Sequence, residues 1–312
     1  MKVKTESTSL TQYFVGTGGW AYFPVEPSLK AYSEVFDFVE VNSTFYEYPE
    51  ARRVEGWRRT VPRDFTFTLR CHSDLTHKIG LKPVDEAYTV FGRMIDVCRI
   101  LNAPFLHLET PARYVLDEER VKEAEAFFST AALMGVRLAW EIRSRVTPEA
   151  VKMMQDFNIV HSVDFSRDTP SLESDVTYTR LFGKGRLNIY QFKDEELTEI
   201  DEKIRDSGAR IAFLSYHGVR MNSDALRFKA FKQNGEFPPL TAQTGVESAK
   251  AVLSEDAKFP MTKEELVADQ GWKVIDLTQD KRIRLSEMLS KLPRKRYENL
   301  GEVIQSLRLL YG

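Results

Sequence analysis

Phe38-Val-Glu-Val-Asn42, a helical pattern over residues 52–60, and then Phe65-Thr-Phe-Thr-Leu-Arg70 make one strand–helix–strand unit. Both apolar runs are too short for a helix, are rich in Val, Phe and Thr, and end in a side chain that can do chemistry. Outward from this unit the same texture recurs. Upstream stands Tyr13-Phe-Val-Gly-Thr17; downstream come Phe105-Leu-His-Leu-Glu109, Arg137-Leu-Ala-Trp-Glu141, Ile159-Val-His-Ser-Val-Asp164, Tyr178-Thr-Arg-Leu-Phe182 and Ile211-Ala-Phe-Leu-Ser215. Helical patterns over 29–35, 84–101, 118–134, 148–157, 195–207 and 222–233 separate most of them. Asp117 and Thr147-Pro148 supply helix start signals. The connection after Asp164 has no clear period over 166–174 and is expected to be a loop with a short helical turn. Eight alternations predict a (β/α)8 TIM-type barrel, in which strand C-termini and the loops after them build the active face.

At 312 residues the chain is long enough for such a barrel, expected over residues 12–236, with an appendage behind it. The break comes at Asn234-Gly-Glu-Phe-Pro-Pro239. Residues 240–312 read as a small, mostly helical C-terminal region: a capping box at Thr262-Lys-Glu-Glu265, a short strand over 273–277, and helices over 283–292 and 300–311. A net charge of −2 with 29% charged residues excludes a global basic signature for nucleic acid. Lys281-Arg-Ile-Arg284 and Pro293-Arg-Lys-Arg296 form a local basic stripe, read as a solvated helix face, with phosphate contact as the functional alternative. Cys71 and Cys98 have no metal-type spacing and read as reduced thiols. No apolar run approaches the roughly 20 residues of a membrane span. The polar leader Met1–Thr11 lacks the apolar core of a signal peptide. The expected setting is therefore cytoplasmic, with no membrane partner.

Side chains two apart on a strand share a face. Glu40 and Asn42 form such a pair, as do Arg70 and His72, His107 and Glu109, Glu141 and Arg143, and Arg180 and Phe182. Pointing inward, these pairs would gather Glu40, Glu109, Glu141 and Asp164 beside Arg70, Arg143 and Arg180. Carboxylates among arginines are held ionised while burial opposes it, the balance that acid–base and anion sites use. His77 and His217 fall near the rim and are the functional histidines; His107 and His161 read as core residues. Trp20, Tyr46 and Tyr190 are the aromatic candidates for ligand contact, the tyrosines because each keeps a polar tip. Dispersed Glu, Asp and His on separate strands are also what a divalent metal would use in a barrel. No H-x-E, H-E-x-x-H or paired-cysteine motif supports one, so the cofactor is left open.

Several segments together resemble the YecE-like family, domain of unknown function 72: Val15-Gly-Thr-Gly-Gly-Trp20, Phe38-Val-Glu-Val-Asn-Ser-Thr-Phe-Tyr46, Trp57 with Pro62-Arg-Asp-Phe65, Leu75-Thr-His77, Leu108-Glu-Thr-Pro111, Trp140-Glu-Ile-Arg143 and Arg180-Leu-Phe-Gly183. The resemblance implies a TIM-type barrel and names no activity. By the same resemblance the family usually has Gln where Glu109 stands, His where Phe182 stands, and Phe-Asn-Asn where this chain has Tyr216-His217-Gly218. Residues 251–307 more faintly resemble a second small helical domain of unknown function, number 2795.

The leading expectation is a hydrolase acting on a phosphate-containing substrate, either a small molecule or nucleic acid. Arg70, Arg143 and Arg180 would clamp the anion, with Asn42 beside them. Glu40, Glu141 and Asp164 would act as base or metal ligands, and His77 or His217 as acid. A carbohydrate isomerase or glycosidase using Glu109 and Glu141 is the alternative, and a non-enzymatic barrel binding an anionic ligand or nucleic acid is the third.

Overall fold

A computed structural model describes residues 11–186 and 188–311; the polar leader proposed for the N-terminus lies outside these apart from Thr11. Eight parallel strands form one sheet: β1 (Gln12–Thr17), β2 (Phe38–Val41), β3 (Thr66–Arg70), β4 (Phe105–Thr110), β5 (Arg137–Ile142), β6 (Val160–His161), β7 (Val176–Leu181) and β8 (Ile211–Tyr216). The sheet wraps round because β1 pairs with both β2 and β8. The seam between β6 and β7 is held by one parallel bridge, Val163 to Thr179. There the Thr179 hydroxyl donates to the Val163 carbonyl at 2.7 Å and accepts the Phe165 N–H at 3.2 Å.

The helices fall where the apolar periodicity places them: α1 (Ser28–Ser33), α2 (Ala51–Thr60), α3 (Asp85–Leu101), α4 (Glu118–Thr130), α5 (Pro148–Asp156), α6 (Asp194–Asp206) and α7 (Met221–Asn234). The Asp117 carboxylate accepts the Arg120 N–H and the Thr147 hydroxyl that of Ala150, so both start signals act as caps. Between β6 and β7 there is no helix: residues 165–174 are turns and bends, interrupted by Pro170.

The barrel interior is stratified. Phe38, Phe105, Ala139, Val160, Val176, Tyr178 and Phe213 pack into one buried cluster, joined by Phe14 and Ile211. Phe14 stacks on Phe213 with ring centroids 4.7 Å apart, and Phe38 and Phe105 meet the same ring edge-on. Two residues further along the strands come Glu40, His107, Glu141, Ser162, Arg180 and Ser215, so the same inward face turns polar toward the C-terminal end.

The described chain divides into two compact units, one of residues up to 181 with 202–217, the other of 182–201 with 218 onward. The division thus falls earlier than the sequence break at 236–240. Within the second unit the Asp194 carboxylate takes Arg227 from α7 on one oxygen and Arg282 on the other. The second unit also contains α8 (Gly245–Leu253), β9 (Met261–Thr262), α9 (Lys263–Gln270), β10 (Val274–Asp276), β11 (Arg282–Arg284), α10 (Leu285–Leu289), β12 (Arg296–Tyr297) and α11 (Leu300–Tyr311). Leu253, Leu266, Ile275, Leu285, Leu289, Tyr297 and Leu307 form its own buried core. The capping box at Thr262 and Glu265 is present. The region is mostly helical, as expected, and also carries two short antiparallel pairs, β10 with β11 and β9 with β12. Residues 283 and 284, expected to open the helix over 283–292, belong to β11, which pairs with β10 and buries Arg282 and Ile283 alike.

Phe213→Ala, which removes the ring that the other phenylalanines pack on, is expected to cost about 3–5 kcal/mol in a urea unfolding experiment.

Candidate active site

At the C-terminal end of the barrel the polar side chains form one connected ionic cluster centred on Arg180. Its guanidinium, 2% exposed, donates from Nε to Glu40 at 3.0 Å, and from Nη1 to Glu109 at 2.5 Å and Glu141 at 2.8 Å. Arg70 donates to Glu109 at 2.7 Å and to the Asn42 side chain at 2.9 Å, and its guanidinium lies 3.6 Å over the Phe45 ring. Arg143 reaches Glu109 at 3.0 Å and Glu141 at 2.7 Å. Three carboxylates therefore face three guanidiniums, which leaves the cluster close to charge-neutral when its histidines are neutral.

The titration behaviour follows from burial set against these pairs. Burial pushes the Glu141 carboxyl up, but Arg180 and Arg143 overcome it and hold the group at about 2. Burial alone would lower the Arg180 pKa; Glu40, Glu141 and Glu109 reverse this and raise it well above its ordinary value. His107 and His217 are driven well below the usual imidazole value by burial and by the positive charge of Arg180, so both are neutral. Burial raises the Tyr178 hydroxyl, and the Glu40 charge adds to it, so Tyr178 remains a donor, 2.8 Å from Glu40. His217 is 3.0 Å from the Ser215 hydroxyl and 3.5 Å from Glu40. A Cβ on residue 18 would stand 2.2 Å from the His217 ring, so only glycine at Gly18 lets that ring lie against the first strand's turn.

Toward solvent the cluster opens on two groups that share one oxygen. Glu109 Oε1 is 3.0 Å from Arg143 Nη1 and 4.0 Å from His77 Nε2. The Arg143 side chain is 42% exposed and that of His77 20% exposed, while Glu109 is buried beneath them. Arg143 Nη2 makes no hydrogen bond among the described residues and forms an open donor edge. Burial lowers the His77 pKa, Glu109 opposes it, and Arg70, Arg113 and Arg143 reinforce it; the net shift is downward, which leaves a neutral imidazole at neutral pH.

Of the sequence candidates, Glu40, Asn42, Arg70, His77, Glu109, Glu141, Arg143, Arg180 and His217 meet in this cluster. Asp164 is engaged in its own loop: it accepts the Ser166 N–H and hydroxyl and lies 3.8 Å from Arg167. Tyr46 is 72% exposed and packs edge-on against Phe45. Trp20 is half-buried with its ring edge-on to Trp57 at 5.3 Å. Tyr190 belongs to the second compact unit, where it bonds Glu196 and lies under Arg284. Sequence reasoning missed Tyr178, Thr68, Ser215 and Phe45. The first three stand two residues before Arg180, Arg70 and His217, so strand alternation was the available signal. The three glutamates do not fit a divalent ion in this arrangement, because guanidiniums lie between them; no group of three or more His, Cys, Asp or Glu among the described residues is arranged to hold a metal. Most of the basic stripe of the second unit is engaged in ion pairs, Arg282 with Asp276 and Asp194, Arg284 with Glu196, Arg294 with Glu264, Lys295 with Glu302 and Arg296 with Glu298, while Lys281 is exposed with no ion pair among the described residues. Among the described residues no helix is long and apolar enough to cross a membrane.

Fold and mouth together define an eight-stranded parallel β/α barrel protein with an Arg–Glu cluster at its C-terminal face. The chain belongs to the family described as "Protein of unknown function DUF72", which its residues 14–235 match. YunF of Bacillus subtilis is 31% identical over 103 residues, 30% of this chain and 35% of YunF. YecE of Escherichia coli K12 is 33% identical over 64 residues, 20% of this chain and 24% of YecE. These matches span well under half of either relative. Among solved structures, a DUF72 family protein from Thermotoga maritima superposes with a TM-score of 0.58 at 21% identity, covering 72% of this chain and 100% of that one. One from Enterococcus faecalis gives 0.56 at 14% identity, covering 72% and 99%. At these identities the likeness shows the fold alone.

Arg180→Met is expected to cost about 3–5 kcal/mol, because it leaves buried carboxylates unpaired. Adding Glu141→Gln should recover part of that loss in urea unfolding; strictly additive losses would mean the network is not the cause. Because the Glu141 carboxyl is depressed in the folded state, its contribution is complete above the ordinary value of 4.5 and is lost as pH falls toward about 2. Glu141→Gln should therefore flatten the stability-versus-pH slope between those values, measured against the unchanged protein.

Proposed function

We propose that this barrel is a hydrolase for a small phosphate ester, with Arg143 holding the phosphoryl oxygens and His77 acting as general base. The observation that carries this reading is the Glu109 oxygen that holds the exposed Arg143 guanidinium at 3.0 Å and lies 4.0 Å from His77 Nε2, so a guanidinium and a neutral imidazole stand near each other at the mouth. An open N–H edge on a guanidinium already oriented by two carboxylates suits an anionic oxygen. A neutral imidazole beside it suits removal of a proton from water. In the step, His77 takes a proton from water, the oxygen attacks phosphorus, and the bond to the leaving oxygen breaks. The proton then passes from the imidazolium to the departing alkoxide. Arg70 and Arg180 are bound to carboxylates below and act as positioning residues. A small ester is favoured over nucleic acid because most of the basic stripe of the second unit is internally paired. For a glycosidase a protonated carboxyl is needed, and a Glu141 held at about 2 weighs against that role.

The test is a panel of phosphomonoesters and diesters assayed by phosphate or nitrophenolate release with the unchanged protein, His77→Gln and Arg143→Gln. His77→Gln should lower kcat by roughly 10²-fold or more, and Arg143→Gln should chiefly raise KM. The rate should be flat near neutrality and fall on acidification, with its midpoint below the ordinary imidazole value of 6.5. Turnover that survives His77→Gln unchanged would sink the assignment.

A further inference from the structure

The absent helix between β6 and β7 leaves a cleft on the outside of the barrel wall, away from the cluster on the inner face. Val160 belongs to the barrel core and Ser162 bonds His107 inside, so His161 between them faces outward. Loop residues 165–174 and the end of α6 stand over this face and enclose a cleft of about 490 Å³. That is the size of small-molecule sites, commonly about 300–1,000 Å³.

The chemistry of the lining is divided by depth. Phe165 and Leu172 give it apolar walls. Two donors lie among them. His161, 6% exposed, accepts the Ser171 N–H on Nδ1 at 2.9 Å, which puts its proton on Nε2, and that N–H has no acceptor among the described residues. Lys203 is half-buried; its ammonium donates to the Phe165 carbonyl at 2.7 Å and has no carboxylate partner among the described residues. Glu173 and Asp206 also line the cleft but are exposed, where solvent screens them.

From this geometry we infer that the cleft is a binding site for a small carboxylic acid with a branched or aromatic apolar body. The carboxylate lies against the Lys203 ammonium and the His161 Nε2–H, and the apolar body against Phe165 and Leu172. An ammonium with one hydrogen bond has two N–H groups left for an anion, and a buried imidazole donor without an acceptor is satisfied by the same group. The site is independent of the proposed hydrolase chemistry.

Isothermal titration of the full chain with 3-methylbutanoate and 4-phenylbutanoate, each beside its primary amide, tests this. Saturable binding is expected for the acids, about tenfold tighter than for the amides, one charge-assisted contact apart. Lys203→Met should reduce the acids to the level of the amides. Leu172→Trp, which fills the cleft, should abolish binding of both. Arg143→Gln should leave every isotherm unchanged. The proposal is overturned if millimolar acid gives no saturable heat, if amide and acid bind equally, if Leu172→Trp leaves binding intact, or if Arg143→Gln removes it.

Discussion

A guanidinium taken out of water must find carboxylates, and Arg180 finds them on three other strands of the barrel. Carried on β7, it reaches Glu40 on β2, Glu109 on β4 and Glu141 on β5, so one side chain ties together strands that share no backbone hydrogen bonds with its own. The desolvation of such a group is offset only when its donors are matched with good geometry. Arg143 then takes the other oxygen of Glu109 and of Glu141, Tyr178 takes that of Glu40, and Arg70 shares with Arg180 the Glu109 oxygen it already holds. Burial together with that central charge keeps His107 and His217 neutral, while burial and the Glu40 carboxylate, against the pull of Arg180, keep the proton on Tyr178.

Much of this could be read from the sequence, and for a definite reason. Strand alternation is local, so Glu40 with Asn42 and Glu141 with Arg143 could be assigned to common faces before any fold was known. Two of the barrel helices also carry their own start signals, and those at Asp117 and Thr147 are caps in the structure. What could not be read is which carboxylate meets which arginine. That depends on the register accumulated round the whole sheet, and a partner such as Tyr178 lies 138 residues from Glu40. Asp164 shows the opposite failure. It terminates an apolar run like the others, but its side chain closes on Ser166 and Arg167 within its own loop. Tyr190 shows a further limit: position after a strand says which loop a residue is on, not which compact unit that loop joins.

Phenylalanines fill one end of the interior and paired charges the other, and the two layers answer different demands. The aromatic layer is nondirectional, so its contribution scales with buried area. In the charged layer each donor has a designated acceptor, and a misplaced group is costly. Such a layer fixes positions to within a hydrogen bond, as it does for Arg143 on the Glu109 oxygen, 4.0 Å from which His77 stands.

The β6–β7 seam, closed by one bridge and the Thr179 hydroxyl, bears on how the protein can diverge. Elsewhere in the wall a change in length would shift a strand and carry its inward residues out of the cluster. Between residues 165 and 174 an insertion costs little more than loop entropy, which grows only slowly with length. The seam is therefore the place in the barrel where lineages can gain or lose segments while the Arg–Glu cluster keeps its geometry.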